Sequence, residues 1–164
     1  MEKLRCFYPG TVELLDSTEK YSAIHELIQK ASVFGELSSL EELERAVLWR
    51  ESISSTGLGS GVAMAHGRTS GVQTTLVALG ISRKGIAYNS IDGKPVHFLF
   101  LIANPPTQQT EYILTLSTLA RIINNKKFRN EILDLASTRH IEERFSMAFE
   151  KWMTSRKVVA AECY

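Results

Sequence analysis

An almost unbroken apolar run from Val96 to Ala103 is the feature that most constrains how this chain folds. Only His97 interrupts the run, which is too short to cross a bilayer. The segment Asn104-Pro105-Pro106-Thr107 closes it. A short apolar segment with a proline stop predicts a strand that is buried on both faces. We therefore expect this strand at the centre of a sheet, with a covering layer on each side.

Two helices are expected before this strand. The first has Asp16 or Ser17 as its N-cap and Gly35 as its stop, and its apolar face recurs at helical spacing through Ile24, Leu27, Ile28 and Ala31. The second helix begins at Ser39, where Glu42 completes a capping box.

Shorter strand-like segments and three further helices complete the pattern. The strand-like segments are 62–65, 75–82 and 85–89, with a turn at 92–95. The later helical faces are carried by Tyr112, Leu116, Leu119 and Ile123, by Phe128, Ile132 and Leu135, and by Ile141, Phe145, Ala148 and Trp152. Helices before and after the strands favour an α/β fold, with a single mixed β-sheet flanked by helices on both faces. We expect residues 1–164 to form a single domain.

The charge balance and the termini limit the classes of partner and compartment. Lys and Arg number 19 and Asp and Glu number 18, so no large field of one sign is present and no nucleic-acid partner is expected. The first ten residues lack the apolar segment of a signal peptide. We therefore expect a cytoplasmic protein with no direct membrane insertion. Cys6 and Cys163 are expected to be free thiols, with a bridge between the termini as the open alternative.

Several common chemistries lack their motifs in this chain. The four histidines show no metal-ligand spacing, so no metal site is expected. The glycine-rich segment 57–71 has neither the Gly-Lys-Ser/Thr ending of a P-loop nor the G-x-G-x-x-G pattern of dinucleotide binding. The G-x-S-x-G elbow of many serine hydrolases is absent as well. We expect no cofactor.

The residues around His66 are better suited to hold a phosphoryl group. Five of the ten glycines lie between positions 57 and 71, with hydroxyl side chains among them. His66 ends a short apolar segment in this stretch, and Arg68 follows two residues later. Arg50 lies at the end of the apolar stripe of the second helix. Glycine backbones approach a ligand closely, hydroxyl groups donate hydrogen bonds and guanidinium groups supply charge.

His66 has two interpretations at this point. In the first, the imidazole is a nucleophile. A backbone carbonyl that holds one ring N–H fixes the tautomer, and the other nitrogen keeps its lone pair for in-line attack. In the second, His66 is a core histidine beside an ordinary flexible loop. The residues alone support the two interpretations almost equally.

The segment 50–67 carries a known signature. Its motifs occur in the order and spacing of one family: Arg50-Glu51, Ser55-Thr56-Gly57-Leu58-Gly59, Gly61-Val62-Ala63 and His66-Gly67. By these motifs the chain resembles the IIA domains of the fructose, mannitol and nitrogen-regulatory class (EIIA type 2) of the phosphoenolpyruvate-dependent sugar phosphotransferase system. Further matches at Asp92-Gly93, Pro95-Val96 and Leu119-Ala120-Arg121 extend the resemblance over Asp16 to Ala136. The resemblance implies the mannitol-type IIA fold.

The resemblance also implies roles for individual residues. His66 is the counterpart of the phosphoryl-accepting histidine, which takes the group from the phosphohistidine of the carrier protein HPr and passes it to a IIB partner. Arg50 matches the arginine that lies beside the phosphoryl group. Arg68 is outside these motifs; its position two residues after His66 makes it a candidate for binding the same group, or a rim charge that assists partner docking. The residues that match the segment shaping the site are Thr56, Gly57, Gly59 and Gly61.

Two residues depart from the family pattern. Ala65 stands where the family usually has proline before the active histidine, and losing a compatible proline costs about 0.4–1 kcal/mol through chain entropy. Tyr112 aligns with the second active-site histidine of the family. A phenol donates one hydrogen bond but cannot become cationic at neutral pH. We therefore expect phosphoryl acceptance at His66 to survive and onward delivery to a IIB partner to be impaired.

Without the resemblance, two of these residues have simpler interpretations. Tyr112 is then the first apolar anchor of its helix. Arg50 is then a structural ion-pair partner for Glu51 or for a distant carboxylate.

The resemblance leaves three functions to distinguish. The first is a phosphocarrier in sugar transport. The second is a regulatory module of the nitrogen-regulatory type, whose phosphorylation at His66 decides which protein it binds. The third is a decayed site that retains only partner binding. Because the chain carries no fused IIB or membrane IIC segment and has Tyr112, we expect the second, with an HPr-type carrier and a IIB domain or regulatory target as partners.

Overall fold

The structure, a computed structural model, describes residue 7 and residues 9–162, with side chains as far as residue 156. Cys6 and Cys163 lie outside the described residues. The strands of the described part are β1 (Val12–Leu14), β2 (Gly57–Gly59), β3 (Val62–Arg68), β4 (Leu76–Ile86) and β5 (Val96–Asn104). The helices are α1 (Lys20–Lys30), a 3-10 turn (Ser32–Glu36), α2 (Leu40–Ile53), α3 (Gln109–Ile123), α4 (Lys126–Asp134) and α5 (Thr138–Glu162).

The strands form a sheet in the order β1-β4-β5-β3-β2. Strand β5 runs parallel to β3 and antiparallel to β4. Strand β1 is parallel to β4, and β2 is antiparallel to β3. This arrangement confirms the expected mixed sheet, with the apolar run at its centre.

The central strand β5 buries both of its faces, because successive side chains of a strand point to opposite sides of the sheet. Leu99 and Leu101 pack in one core with residues of α1 and α2, whereas Phe98 and Phe100 pack in the other core with residues of α3, α4 and α5. Burying a side chain of this size contributes about 1.5–3 kcal/mol. The helices therefore flank the sheet on both faces, as predicted.

The expected ends of the first helix are wrong. Glu19 is the N-cap of α1, and the helix ends at Lys30 with Gly35 inside the 3-10 turn that follows. The backbone N–H groups of Asp16 and Ser17 instead donate to the Glu26 carboxylate, at 2.8 and 2.9 Å. The Glu26 carboxylate of α1 thus accepts hydrogen bonds from backbone N–H groups that precede the helix. Helix-capping rules consider only residues next to the helix end, so they do not predict this contact.

The start of the second helix agrees with the sequence. The Ser39 hydroxyl accepts a hydrogen bond from the Glu42 N–H at 3.1 Å, which caps α2. Helix α5 begins at Thr138. None of the helices in the described part of the chain combines the length and apolarity needed to cross a membrane.

The strands differ from the expectation in two respects. The segments 75–82 and 85–89 are expected as two strands, but the chain forms one strand, β4, with an irregular register between Ile81 and Ile86. Gly85 has φ +91° within that irregularity, a conformation that glycine adopts without steric cost. The sequence pattern does not predict β1 or β2, because three residues are too few to show alternation.

Candidate functional site

His66 lies on β3 beside the first turn of α3. Its side chain is half-buried on the side of the sheet that α3 covers, and its ring centroid is 5.5 Å from that of Tyr112. Strand β2 pairs only with Val62 and Ala63 at the start of β3. Ala65, which replaces the expected proline, is fully buried in the core beneath α2. The imidazole therefore lies near the open outer edge of the sheet.

The ring nitrogens of His66 occupy different surroundings. Nδ1 lies 3.4 Å from the carbonyl oxygen of Met64, at the long end of hydrogen-bond distances. An Nδ1–H that donates to this oxygen leaves Nε2 unprotonated, with its lone pair free. Burial lowers the pKa of His66, and the charges of Arg50 and Arg68 lower it further. The Met64 carbonyl and the Glu51 carboxylate act in the opposite direction on the pKa of His66, but they do not cancel the decrease.

Two guanidinium groups lie close enough to this ring for their charges to act on it. Arg50, in the last turn of α2, donates from Nη1 to the carbonyl oxygen of Ser54 at 2.8 Å. Arg68, at the end of β3, donates from Nη2 to the side-chain oxygen of Gln109 at 3.0 Å. Neither arginine has a carboxylate within ion-pair distance among the described residues. Within the described part of the chain, both cations therefore lack a carboxylate partner.

Tyr112 completes the group. Burial raises the pKa of the Tyr112 phenol, and the charges of Arg50 and Arg68 offset only part of that increase. The hydroxyl therefore stays protonated at neutral pH and can donate a hydrogen bond. Because its ring faces His66, Tyr112 is part of the site as well as an anchor of α3.

The structure places Gly59 and Gly61 in the turn before β3 rather than against the His66 ring. The segment is a tight hairpin, with φ values of +91°, +57° and +78° at Gly59, Ser60 and Gly61. Its turn lies at the start of β3, about four residues and ~13 Å from His66. The Ser60 N–H donates there to the Asp92 carboxylate at 2.9 Å. These glycines are required by the turn, because a positive φ is strained for most residues.

Thr56 and Gly57 pack inward rather than toward the imidazole. The buried Thr56 hydroxyl hydrogen-bonds to the Glu51 carboxylate and lies 3.1 Å from the Tyr88 hydroxyl. Gly57 leaves no room for a side chain, since a Cβ there would meet Ser90. The Thr56 carbonyl instead accepts a hydrogen bond from the Met64 N–H at 3.1 Å. Thr56 and Gly57 therefore pack behind the site, and they do not present hydrogen-bond donors to a ligand.

Two residues that the sequence analysis missed, Lys20 and Tyr88, complete this support. The Lys20 ammonium pairs with Glu51 at 3.0 Å and lies 4.6 Å from the Tyr88 ring centroid. Glu51 is therefore the partner of Lys20, and the alternative of an Arg50–Glu51 ion pair is wrong. Helical spacing is the sequence signal that could have identified Lys20, because Lys20 lies four residues before Ile24, on the apolar stripe of α1.

The chemistry available to this site follows from its charges. The structure brings together His66, Arg50, Arg68 and Tyr112, a nucleophile candidate, two cations and one neutral donor. Such a set suits a dianionic group. Within the described residues, no three His, Cys, Asp or Glu side chains come close enough to hold a metal ion.

Comparisons with known proteins agree with this architecture. Residues 7–147 match the family model of the phosphoenolpyruvate-dependent sugar phosphotransferase system, EIIA 2. The chain is 34% identical over 128 residues to a fructose-specific EIIABC component from Bacillus subtilis, an alignment that covers 77% of this chain and 20% of that protein. The chain thus spans about a fifth of the length of this relative.

Solved structures share the fold. The nitrogen regulatory protein IIA-Ntr from Neisseria meningitidis superposes with a TM-score of 0.74 and 27% identity, over 81% of this chain and 90% of that one. IIA mannitol from Escherichia coli superposes with a TM-score of 0.68 and 19% identity, over 84% of this chain and 96% of that one. Since the family model spans most of the chain, the protein belongs to the EIIA type 2 family of the phosphoenolpyruvate-dependent sugar phosphotransferase system.

Proposed function

We propose that His66 accepts a phosphoryl group from the phosphohistidine of an HPr-type carrier, or of its nitrogen-branch relative, in the cytoplasm. The lone pair of Nε2 forms the new N–P bond while the N–P bond of the donor breaks. The donor imidazole leaves with that electron pair, and neither metal nor cofactor is required. The observation that carries the proposal is a half-buried imidazole with Nδ1 on a carbonyl, near two guanidinium groups that have no carboxylate partner among the described residues.

Charge compensation is the main contribution of the protein to this step. A phosphoryl group between two imidazoles carries most of its charge on its outer oxygens, and transfer depends on positioning and on stabilising that charge. Arg50 and Arg68 supply two positive charges, and the Tyr112 hydroxyl supplies a neutral donor. Thr56, Gly57, Gly59 and Gly61 contribute indirectly, by holding the strand and hairpin that precede His66.

We further propose that the protein is of the nitrogen-regulatory type rather than a sugar-specific carrier. Tyr112 supports this proposal, because a phenol cannot supply a third cation when the phosphoryl group leaves. A phosphoryl group at His66 adds about −1.5 to −2 charge at a partly exposed position, enough to alter docking to a regulatory target. The second candidate is a protein-binding module of the same fold without onward transfer, which Tyr112 also favours.

The test is incubation of the full chain with phosphoenolpyruvate, enzyme I and HPr. We expect an acid-labile adduct on the wild type and none on His66→Ala. His25→Ala is the matched control, because His25 of α1 is exposed and pairs with Glu44 of α2, and it should be labelled like the wild type. A wild-type protein that no HPr or nitrogen-branch carrier labels would contradict phosphoryl acceptance and leave partner binding alone.

A second incubation separates carrier from regulator. Phosphorylated protein is mixed with IIB domains, and the label on each protein is followed over time. Retention of the label on His66 supports the regulatory type. Rapid transfer to a IIB domain would overturn it in favour of a sugar-specific carrier.

A further inference from the structure

A fully buried carboxylate lies behind the site without facing it. The Glu51 side chain is 0% exposed, and its oxygens accept from Lys20 Nζ at 3.0 Å, the Tyr88 hydroxyl at 2.8 Å and the Thr56 N–H at 3.2 Å. The Thr56 hydroxyl donates to it as well. Buried polar groups are costly unless they are paired, so this carboxylate holds its four donors in a fixed arrangement.

The contacts of Thr56 extend this arrangement to the imidazole. The Thr56 backbone donates its N–H to Glu51 and accepts, at its carbonyl oxygen, from the Met64 N–H at 3.1 Å. The carbonyl oxygen of Met64 is in turn the group 3.4 Å from His66 Nδ1. Three successive hydrogen bonds therefore join the buried carboxylate to the ring nitrogen that does not react.

Glu51 also fixes the neighbouring cation. Arg50 and Glu51 are consecutive in the last turn of α2. Because Glu51 ties this turn to Thr56 and to Lys20 of α1, the backbone that carries Arg50 cannot shift independently of β3. One carboxylate thus sets the position of two groups at the site.

We propose that Glu51 is a positioning residue for phosphoryl acceptance: through Thr56 and Met64 it holds His66 in the Nδ1–H tautomer, and through α2 it holds Arg50. The proposal rests on the proposed function of His66. Glu51 touches neither the ring nor the phosphoryl group.

The tautomer matters because only one nitrogen faces the incoming group. A ring with its proton on Nε2 has no lone pair there and cannot accept phosphorus at that atom. If the Met64 carbonyl loses its fixed position, both tautomers become populated and the reactive fraction falls. Misplacement of a reacting group by about 1 Å can cost ~10²-fold in rate.

The test compares two double variants in which Lys20 is replaced, so that no lysine is left unpaired. Replacing both partners of the ion pair avoids an unpaired buried charge, but in E51L the Tyr88 hydroxyl and the Thr56 donors also lose their acceptor. K20M/E51L removes the acceptor for Thr56. K20M/E51Q keeps an amide oxygen at the same place and is the conservative variant that should restore the relay. Thermal melts verify that each variant is folded.

Two readouts follow these variants. The first is the nitrogen-15 spectrum of the His66 imidazole in the unphosphorylated protein, which reports the tautomer. The second is the initial rate of phosphorylation by phospho-HPr. We expect Nδ1–H in the wild type and in K20M/E51Q. We expect mixed tautomers and a rate about 10- to 100-fold lower in K20M/E51L.

The matched control is E26L/K30M. Glu26 makes the same kinds of contact as Glu51, with Lys30 at 2.8 Å and with two backbone N–H groups, but it is joined to α1 and to the segment before it. In E26L/K30M, the tautomer of His66 and the initial rate of phosphorylation should equal those of the wild type. A folded K20M/E51L protein with wild-type tautomer and rate would overturn the proposal.

Two further results would overturn the proposal. If K20M/E51L does not fold, K20M/E51N replaces it, because an amide one methylene shorter cannot keep its oxygen on the Thr56 N–H. This variant should also shift the tautomer; an unchanged spectrum would overturn the proposal. An Nε2–H tautomer in the wild type would overturn it as well. A wild type with Nδ1–H that HPr does not label contradicts the proposed function, while the tautomers of the variants still decide the role of Glu51.

Discussion

His66 differs from other histidines in what surrounds its ring. His25 is exposed and paired with Glu44, and Nδ1 of His97 lies 2.7 Å from the Ser82 carbonyl at the start of β5. Burial lowers the pKa of His66, and the charges of Arg50 and Arg68 lower it further. Burial and positive charge both favour the neutral ring, which is the form that can attack phosphorus.

The first prediction concerns Arg50. Removing its charge in Arg50→Met takes away one cause of the lowered pKa of His66, so that pKa rises toward its ordinary value of 6.5. The rate of phosphorylation is lost as pH falls through the pKa of His66, and the acid limb of the pH–rate profile should therefore move to higher pH. The maximal rate should fall about 10²-fold.

Arg50→Lys is the control for charge. It keeps the positive charge but not the fork of a guanidinium group, so the acid limb should stay near that of the wild type. If the acid limb of the pH–rate profile does not move in Arg50→Met, Arg50 has no electrostatic influence on His66.

The second prediction concerns Tyr112. Tyr112→Phe removes the phenol hydroxyl, which is the hydrogen-bond donor of this side chain. Phosphoryl acceptance at His66 should become about 2- to 10-fold slower, the equivalent of one hydrogen bond worth about 0.5–1.5 kcal/mol. Tyr112→His supplies a ring that can become cationic and should speed delivery from His66 to a IIB domain. Transfer to IIB that is no faster in Tyr112→His than in the wild type would refute the role given to the phenol.

The residues of the site were accessible from the sequence to different degrees. His66, Arg50, Arg68 and Tyr112 follow from local context and family motifs, and the structure brings them together. Lys20 and Tyr88 lie 31 and 37 residues from Glu51 in sequence, and their contacts with it exist only after α1, α2 and the segment that follows β4 have packed. Spacing within one element cannot report such contacts.

At the scale of elements, the glycine-rich segment 57–71 has a composition that is compatible with two different local structures. Glycines permit both an anion-binding loop and a tight hairpin turn. The positive φ angles at Gly59 and Gly61 identify the hairpin, and the register of β2 with β3 then carries the turn away from His66. The sequence alone does not state which end of β3 the glycines occupy.

The third prediction concerns the anchor of α1. Burial by itself raises the pKa of Glu26, but hydrogen bonds from Lys30, Ser17 and Asp16 outweigh it and lower this pKa to about 2. A carboxyl group whose pKa is lower in the folded state stabilises the fold above its ordinary pKa of 4.5. That contribution should be lost as pH falls from 4.5 toward about 2.

The measurement is chemical denaturation across this pH range for the wild type and Glu26→Gln. The variant lacks the titrating group, so its stability should decrease less steeply over the same interval. Parallel curves for the two proteins would contradict a pKa of Glu26 that is lowered by its hydrogen bonds.

For the whole molecule, the parallel pairing of β3 with β5 explains where the site lies. His66 pairs with Ile102, so the carboxyl ends of both strands meet at one edge of the sheet, and α3 begins there. In open α/β sheets, ligands bind outside the carboxyl ends of the strands. The apolar run predicts that β5 is central, but strand order and direction depend on contacts between distant segments and were not available from local patterns.

The central claim is that Nε2 of His66 is the phosphoryl acceptor. The most direct measurement is a nitrogen-15 spectrum of protein labelled at its histidines, recorded before and after incubation with phosphoenolpyruvate, enzyme I and HPr. We predict that phosphorus couples to one ring nitrogen only, Nε2 of His66, with Nδ1 still protonated. Phosphorus on another histidine, on Nδ1 of His66 or on no histidine at all would contradict the claim.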